Sequence, residues 1–362
     1  MKSSTNLERG YTLIELLIAL AIGVVLIGGV IVVFLAQTQT YRVANSQAGT
    51  QSAENAIAAL VTPVVRSAGF AGCAAVGPRL TSNLNPGGPP PLDVQPPVSS
   101  VVGFDANGTT GSGTLTLVQL NAANNSILTS WTPSLDPSLQ GAVESGSDVL
   151  VLFGSALGSK PVSVTSIAGG ASTLTVQDAS AAGSGIALAA GQLAAVSDCG
   201  LATLFKITGV AGNVITHAAG AGALANGVAA ISLPYANPVL TPMQQTALYV
   251  AQGQGGQSIL TLATYINGSW TQSPLVPGVE NMQVLYGIGI NGAATQYVAA
   301  SSLTPTTAVY SVRLGFLISG QPGATNVGNP RSYNVLGTVV VVPQDTRLRR
   351  VYEMTVKVRN AS

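Results

Sequence analysis

One carboxylate stands out as a candidate for chemistry because of where it sits. Between Tyr11 and Leu35 the sole acidic or basic side chain is Glu15. A charged group inside a membrane helix costs about 2.5–3.5 kcal/mol, so such a residue calls for a partner and with it a function. The other reactive side chains lack a pattern. The lone histidine, His217, falls between a strand-like run and a Gly/Ala loop and reads as a packed or solvated ring. Asp93, Asp105, Asp136, Glu144, Asp148 and Asp178 never approach calcium-loop spacing. Serines are many, yet no HExxH, GxSxG, Walker or GxGxxG context appears, and no base is placed to activate one. Asn267-Gly-Ser269 matches a glycosylation acceptor and is read as accidental. No catalytic residue, metal ligand or cofactor is expected, and the chain is read as a non-enzyme. Cys73 and Cys199 are too few for a zinc site and form no CxxC pair. On the far side of a membrane such an even pair suggests a disulfide; the alternative is two unrelated buried thiols.

The element that must position Glu15 is a membrane helix. Residues 1–10, MKSSTNLERG, are polar and carry Lys2 and Arg9. Leu16 to Leu35 is an uncharged run of 20 residues, about 30 Å as a helix and long enough to cross a bilayer's hydrocarbon core. The positive flank places the N-terminus in the cytoplasm and exports the rest. No A-x-A-like cleavage site follows the run, so the helix, residues 11–35, is expected to stay with the mature chain.

At this point a resemblance becomes specific. Gly10-Tyr11-Thr12-Leu13-Ile14-Glu15 resembles the class III signal of type IV pilins and type II secretion pseudopilins, with Tyr where that family usually has Phe. The resemblance implies that residues 1–10 are a leader and that a prepilin peptidase cuts after Gly10 on the cytoplasmic side. Tyr11 would then be the N-methylated terminus. Cleavage would create a positive amine four residues before Glu15, at a helix start whose dipole favours an anion. In a filament the carboxylate would pair with a neighbour's Tyr11 amine, which low dielectric favours over two unpaired charges. Glu15 is thus expected to set the register of assembly.

Beyond the membrane, Ala53, Ala56, Ile57, Leu60 and Val64 recur at helical spacing. The helix is therefore expected to continue as an amphipathic half over 36–72, kinked or ended by Pro63. A Gly/Pro-rich loop is expected over 80–113, around Asn85-Pro-Gly-Gly-Pro-Pro-Pro91. Strand-like β-branched runs follow at Thr114–Leu120, Asp148–Phe153, Val162–Ile167, Leu174–Gln177 and Asn213–Thr216. Others are Ile259–Ile266, Met282–Ile290, Val309–Ile318, Val335–Val342 and Tyr352–Val358. No helical pattern alternates with them, which argues against a parallel βαβ array. The expected fold is α+β: a long N-terminal helix, part transmembrane and part amphipathic, packed on a β-rich, mainly antiparallel, pilin-like domain over 73–362.

Composition narrows the partners. Only 7% of residues are charged and the net charge is +1, which argues against nucleic acid, whose phosphates need a concentrated basic surface. The one basic cluster, Arg347, Arg349, Arg350, Lys357 and Arg359, reads as the solvated face of a strand. Several segments resemble PilW-like minor pilins: Arg66-Ser-Ala-Gly-Phe-Ala-Gly-Cys73, Ser197-Asp198-Cys199 with Phe205, Val279-Glu-Asn-Met-Gln-Val-Leu-Tyr-Gly287, and Arg347–Asn360. That resemblance implies an inner-membrane protein with a periplasmic domain that enters an extracellular type IV pilus, at or near its tip, and helps start assembly. Its implied partners are other minor pilins, the major pilin, the inner-membrane assembly platform and the prepilin peptidase. The alternatives are a GspJ-like type II secretion pseudopilin and a tip adhesin.

Overall fold

The computed structural model describes residues 11–77, 79–106, 114–116, 130–168, 172–231, 234–252, 257–325 and 331–360. Its leading element is a helix, α1, spanning Leu13–Ser67 and about 80 Å long at 1.5 Å per residue. Every large apolar side chain from Leu13 to Leu35 is exposed, on a segment long and apolar enough to cross a membrane. Packing begins further along. The buried residues of α1 are Ser46, Thr50, Ile57, Val61, Val64 and Val65.

Two details of α1 differ from the sequence expectation. The spacing favours Leu60 as a core position, but Leu60 is 41% exposed and Val61 is buried instead. Neighbouring residues lie about 100° apart around a helix, and both of these are apolar, so only docking decides which faces the sheet. The helix also runs through Pro63 to Ser67, five residues short of the expected end at 72. Proline forfeits one N–H donor, but Val61, Val64 and Val65 are buried around it and hold the last turn in place.

The β-rich domain is mainly antiparallel. Among the described residues its largest sheet has thirteen strands, and the hub is Val239–Gln252. The first half of the hub pairs with Leu193–Ser197, the second with Val149–Ser155 and Ser258–Ile266. A separate four-stranded antiparallel sheet runs in the order Ala293–Val298, Val279–Ile290, Val309–Ser319, Arg349–Lys357. The two sheets and the helix share one core, in which Ile57, Val61, Val64 and Val65 meet Leu150, Leu248 and Leu260 from one sheet and Met282, Leu314 and Phe316 from the other. Each fully buried aliphatic side chain contributes about 1.5–3 kcal/mol, so this stripe is the main bond between helix and domain.

Several segments depart from the expected pattern. Residues 80–113 are not simply a loop: Leu80–Ser82 pairs parallel with Ala202, Thr203 and Leu204, and Val101–Ala106 pairs antiparallel with the Val149–Ser155 strand. The Pro-rich stretch between them is anchored, because buried Gln245 donates to the carbonyls of Pro89 and Pro90 at 3.2 and 2.6 Å and Leu92 is fully buried. Val335–Val342 is one apolar run, yet it folds as a hairpin, Arg331–Val335 with Thr338–Val342, turning at Leu336-Gly337 with φ of 50° and 94°. Of the Thr114–Leu120 candidate, Thr114–Thr116 is a strand; 117–120 lie outside the described residues.

Candidate assembly interface

Thr12 is the N-cap of α1. Its Oγ1 accepts from the Glu15 N–H at 3.3 Å, and the Glu15 carboxylate accepts from the Thr12 N–H at 3.0 Å and from Thr12 Oγ1 at 3.2 Å. This reciprocal capping box satisfies two helix N–H donors that would otherwise be orphaned. It was legible in the sequence as Thr12-x-x-Glu15, although Glu15 draws attention there only as a lone charge. Tyr11 precedes it and is 89% exposed. Gly10 lies outside the described residues. The helix start therefore offers an exposed Tyr11, a carboxylate at the third position and an unpacked apolar face behind them.

At the other end, Cys73 and Cys199 are joined by a disulfide with Cα atoms 4.6 Å apart across 126 residues of sequence. The bond ties the hairpin Phe70–Ala75, which follows α1, to the turn after Leu193–Ser197. Asp198 shapes that turn by accepting from the N–H groups of Gly200 and Leu201, each at 2.8 Å, and of Ala236 at 3.0 Å. These bonds, Ala236 first, hold its carboxyl below the usual range. Gly72 must be glycine here: its φ is +87°, and a Cβ would strike Ser197 Oγ and stand 2.9 Å from Thr241 Oγ1.

Near the C-terminus the expected solvated basic face is partly a buried ion cluster. The Arg349 side chain is 4% exposed. It donates to both oxygens of Glu280, at 2.6 and 3.1 Å, and to both of Asp345, at 2.7 and 2.6 Å. Burial alone would lower the guanidinium's pKa, but its bonds to Asp345 and Glu280 push it up. Burial likewise works against Asp345, whose bonds from Arg349 and the Arg347 N–H nevertheless hold it below the usual carboxylate range. Arg350, by contrast, is exposed and reaches Glu54 of α1 at 3.0 Å. Alternation gives this face the right period, but the acids that bury Arg349 are remote in sequence or in a loop.

Comparison with known proteins bears on this C-terminal third and on the helix start. Residues 247–360 match the model for the Type IV Pilus-assembly protein W family, and residues 5–31 match the prokaryotic N-terminal methylation motif. The C-terminal third of the chain is thus similar to that family, and its N-terminus to prepilin-type methylation signals. No curated protein matches it. A type IV-like pilin from Thermus thermophilus aligns at 22% identity over 33% of this chain and 68% of that one, with a TM-score of 0.22.

Within the matched region, the segment at 279–287 does internal work. Asn281 and Gln283 both donate to the Gly146 carbonyl at 2.9 Å, and Ser147 Oγ accepts from the Met282 N–H at 3.0 Å. Asp148 accepts from the N–H groups of Ala106 and Val284, each at 2.9 Å, while Asp105 accepts from those of Ala300 and Ser301. Two acids with no pattern in the sequence are thus buried braces between the thirteen-stranded sheet and the segment 284–301. Tyr286 lies near both, and burial, then their charges, push its hydroxyl well up. His217 is a packed ring against Phe205, 5.1 Å between centroids, with its pKa lowered by burial. Among the described residues no group of three His, Cys, Asp or Glu side chains is placed to hold a metal.

Proposed function

We propose that this chain is a minor pilin that helps initiate type IV pilus assembly, acting at or near the pilus tip. In this reading the prepilin peptidase removes residues 1–10, cutting after Gly10, and Tyr11 becomes the N-methylated terminus. The chain then waits in the inner membrane, N-terminus cytoplasmic and β-rich domain periplasmic. It next joins other minor pilins and the major pilin through the assembly platform.

The observation that carries the reading is the unpacked first half of α1, whose one charge is Glu15 beside exposed Tyr11. A surface this apolar needs lipid or other helices around it. In the single chain Glu15 is satisfied by the neutral donors of Thr12. A neighbour's amine would replace them with a charge-assisted bond, about twice as strong, so pairing favours the filament over the dispersed state. The test is Glu15→Ala. Loss of the carboxylate should leave membrane insertion intact or easier and reduce the amount of the chain recovered in sheared pili. Unchanged incorporation and pilus number would remove the role given to Glu15.

A further inference from the structure

The turn Gly320–Thr325 reaches back along α1 to just beyond its apolar segment. Gln39 Nε2 donates to the Ala324 carbonyl at 3.2 Å, and Gly320 is pressed against Ser46. A Cβ at Gly323 would stand 3.5 Å from Arg42 Nη1, so that guanidinium lies along the turn. From the other side Arg347 Nη1 donates to the Gly320 carbonyl at 3.5 Å. Thr346 fixes the loop, accepting from Gly323 N–H at 2.8 Å on Oγ1 and from Ala324 and Thr325 N–H at 3.0 Å on its carbonyl. Gln321 and Pro322 at the tip are exposed.

Position along the helix sets the height of this turn. Gln39 is four residues past Leu35, about 6 Å, and Arg42 seven residues, about 10 Å. A headgroup layer is about 5–7 Å thick on each side of the hydrocarbon, and an anionic surface attracts cations within a Debye length of about 8 Å. Tyr41, 72% exposed, falls at the level where interfacial aromatics gather. Arg42 is the first acidic or basic residue after Glu15 in the sequence, and among the described residues it has no ion-pair partner. Asp345, which precedes the Thr346 that fixes the turn, is held by Arg349 at 2.6 Å and lies 3.9 Å from Arg347. Arg42, Arg347 and Arg349 against Asp345 and Glu280 leave this end of the domain net positive.

We propose that the Gly320–Thr325 turn, with Arg42 and Arg347, is a foot that rests on anionic phospholipid headgroups of the leaflet where α1 leaves the bilayer. This rests on the membrane-held state proposed above. The foot fixes the tilt of the domain on its helix before assembly, and withdrawal into a filament must release it.

The full chain in lipid nanodiscs, its disulfide intact, tests this with single fluorophores at Pro322→Cys, Thr295→Cys and Ala21→Cys. Thr295 is the distant control: its strand pairs with Tyr286–Ile290, of which Tyr286, Gly287 and Ile288 pair with Val312, Ser311 and Val309, and Val358 bonds to Tyr310 beside Asn360, which abuts Gly69 just past the far end of α1. Nitroxide at headgroup depth should quench Pro322 several-fold more than Thr295, and adding phosphatidylglycerol to phosphatidylcholine should widen the difference. Arg42→Gln or Arg347→Gln should each lower the ratio of docked to lifted domain about fivefold in the anionic discs, and Arg42→Lys should restore it. Ala21, quenched by acyl-chain nitroxide, reports separately whether α1 spans. If Ala21 is quenched but Pro322 is no more quenched than Thr295, or responds equally with and without phosphatidylglycerol, the foot is overturned. An unquenched Ala21 overturns the spanning state and the foot with it.

Discussion

Replacing Arg349 with Met removes the cation from the buried cluster while roughly keeping its volume. Glu280 and Asp345, each with a side chain only 16% exposed, are then left without their guanidinium. Breaking a buried pair by deleting one partner costs about 3–5 kcal/mol; Glu280 loses its guanidinium outright, while Asp345 keeps the Arg347 N–H, which places Arg349→Met within that range. That is a large share of a typical domain's stability of about 5–15 kcal/mol. Urea unfolding of the full chain in detergent, followed by the fluorescence of Trp131 and Trp270, should show a correspondingly lower midpoint at pH 7. The pH dependence separates charge from packing. In the wild type Asp345 is held low, so its stabilisation is complete above the unfolded carboxylate range near pH 4 and is lost as pH falls through its folded value. In Arg349→Met the larger part of that lowering is gone while burial, which raises the Asp345 carboxyl, remains, so protonation relieves part of the defect. The deficit against wild type should shrink as pH falls from 7 towards 4. Arg349→Met with Glu280→Gln and Asp345→Asn should regain most of the loss at pH 7. A deficit below about 1 kcal/mol, or one that grows as pH falls, would refute the charge argument.

The disulfide closes a loop of 126 residues, worth about 5 kcal/mol in chain entropy at the upper end. Cys73→Ser and Cys199→Ser should therefore lower folded protein equally, and the double variant should be no worse than either; two free thiols in protein mapped from its native envelope would contradict this. Glu144 is raised by burial and then by Glu280, so it opposes folding once pH rises above its unfolded value. Glu144→Gln should stabilise the chain at pH 7 in the same urea assay, with the gain fading towards pH 4; equal midpoints at pH 7 would rule it out. Gly72→Ala combines positive-φ strain of about 1–2 kcal/mol with overpacking of about 1–3 kcal/mol against Ser197 and Thr241, read as a lower melting temperature. An unchanged melting temperature would mean that the hairpin can move aside.

What was legible in the sequence was local in origin. The apolar span, the Thr12-x-x-Glu15 start and strands such as Val162–Ile167 and Val309–Ser319 are written in short-range pattern and β-branched content. The hub Val239–Gln252 escaped because Pro242 argues against a strand and because Thr241, Gln245 and Thr246 break the apolar pattern although all three are buried. Their burial depends on partners far along the chain, as when Gln245 holds Pro90 across 155 residues. Leu193–Ser197 was hidden for a related reason, since alanines carry little strand preference and become core only between two paired neighbours. At the candidate interface, Gly10, Tyr11 and Glu15 came from a short motif. The Asp105, Asp148 and Arg349 braces depend on tertiary contacts that no spacing rule reports.

The central proposal is prepilin processing followed by entry into a pilus, and the N-terminus of the mature chain tests it most directly. Mass analysis of the chain recovered from sheared pili and from the inner membrane should find Tyr11 as the first residue, carrying one methyl group on its amine. Gly10→Val should leave an unprocessed, membrane-retained precursor, because glycine alone lets another backbone approach closely at the cut. A mature chain that keeps residues 1–10, or one that begins after Leu35, would contradict the proposal.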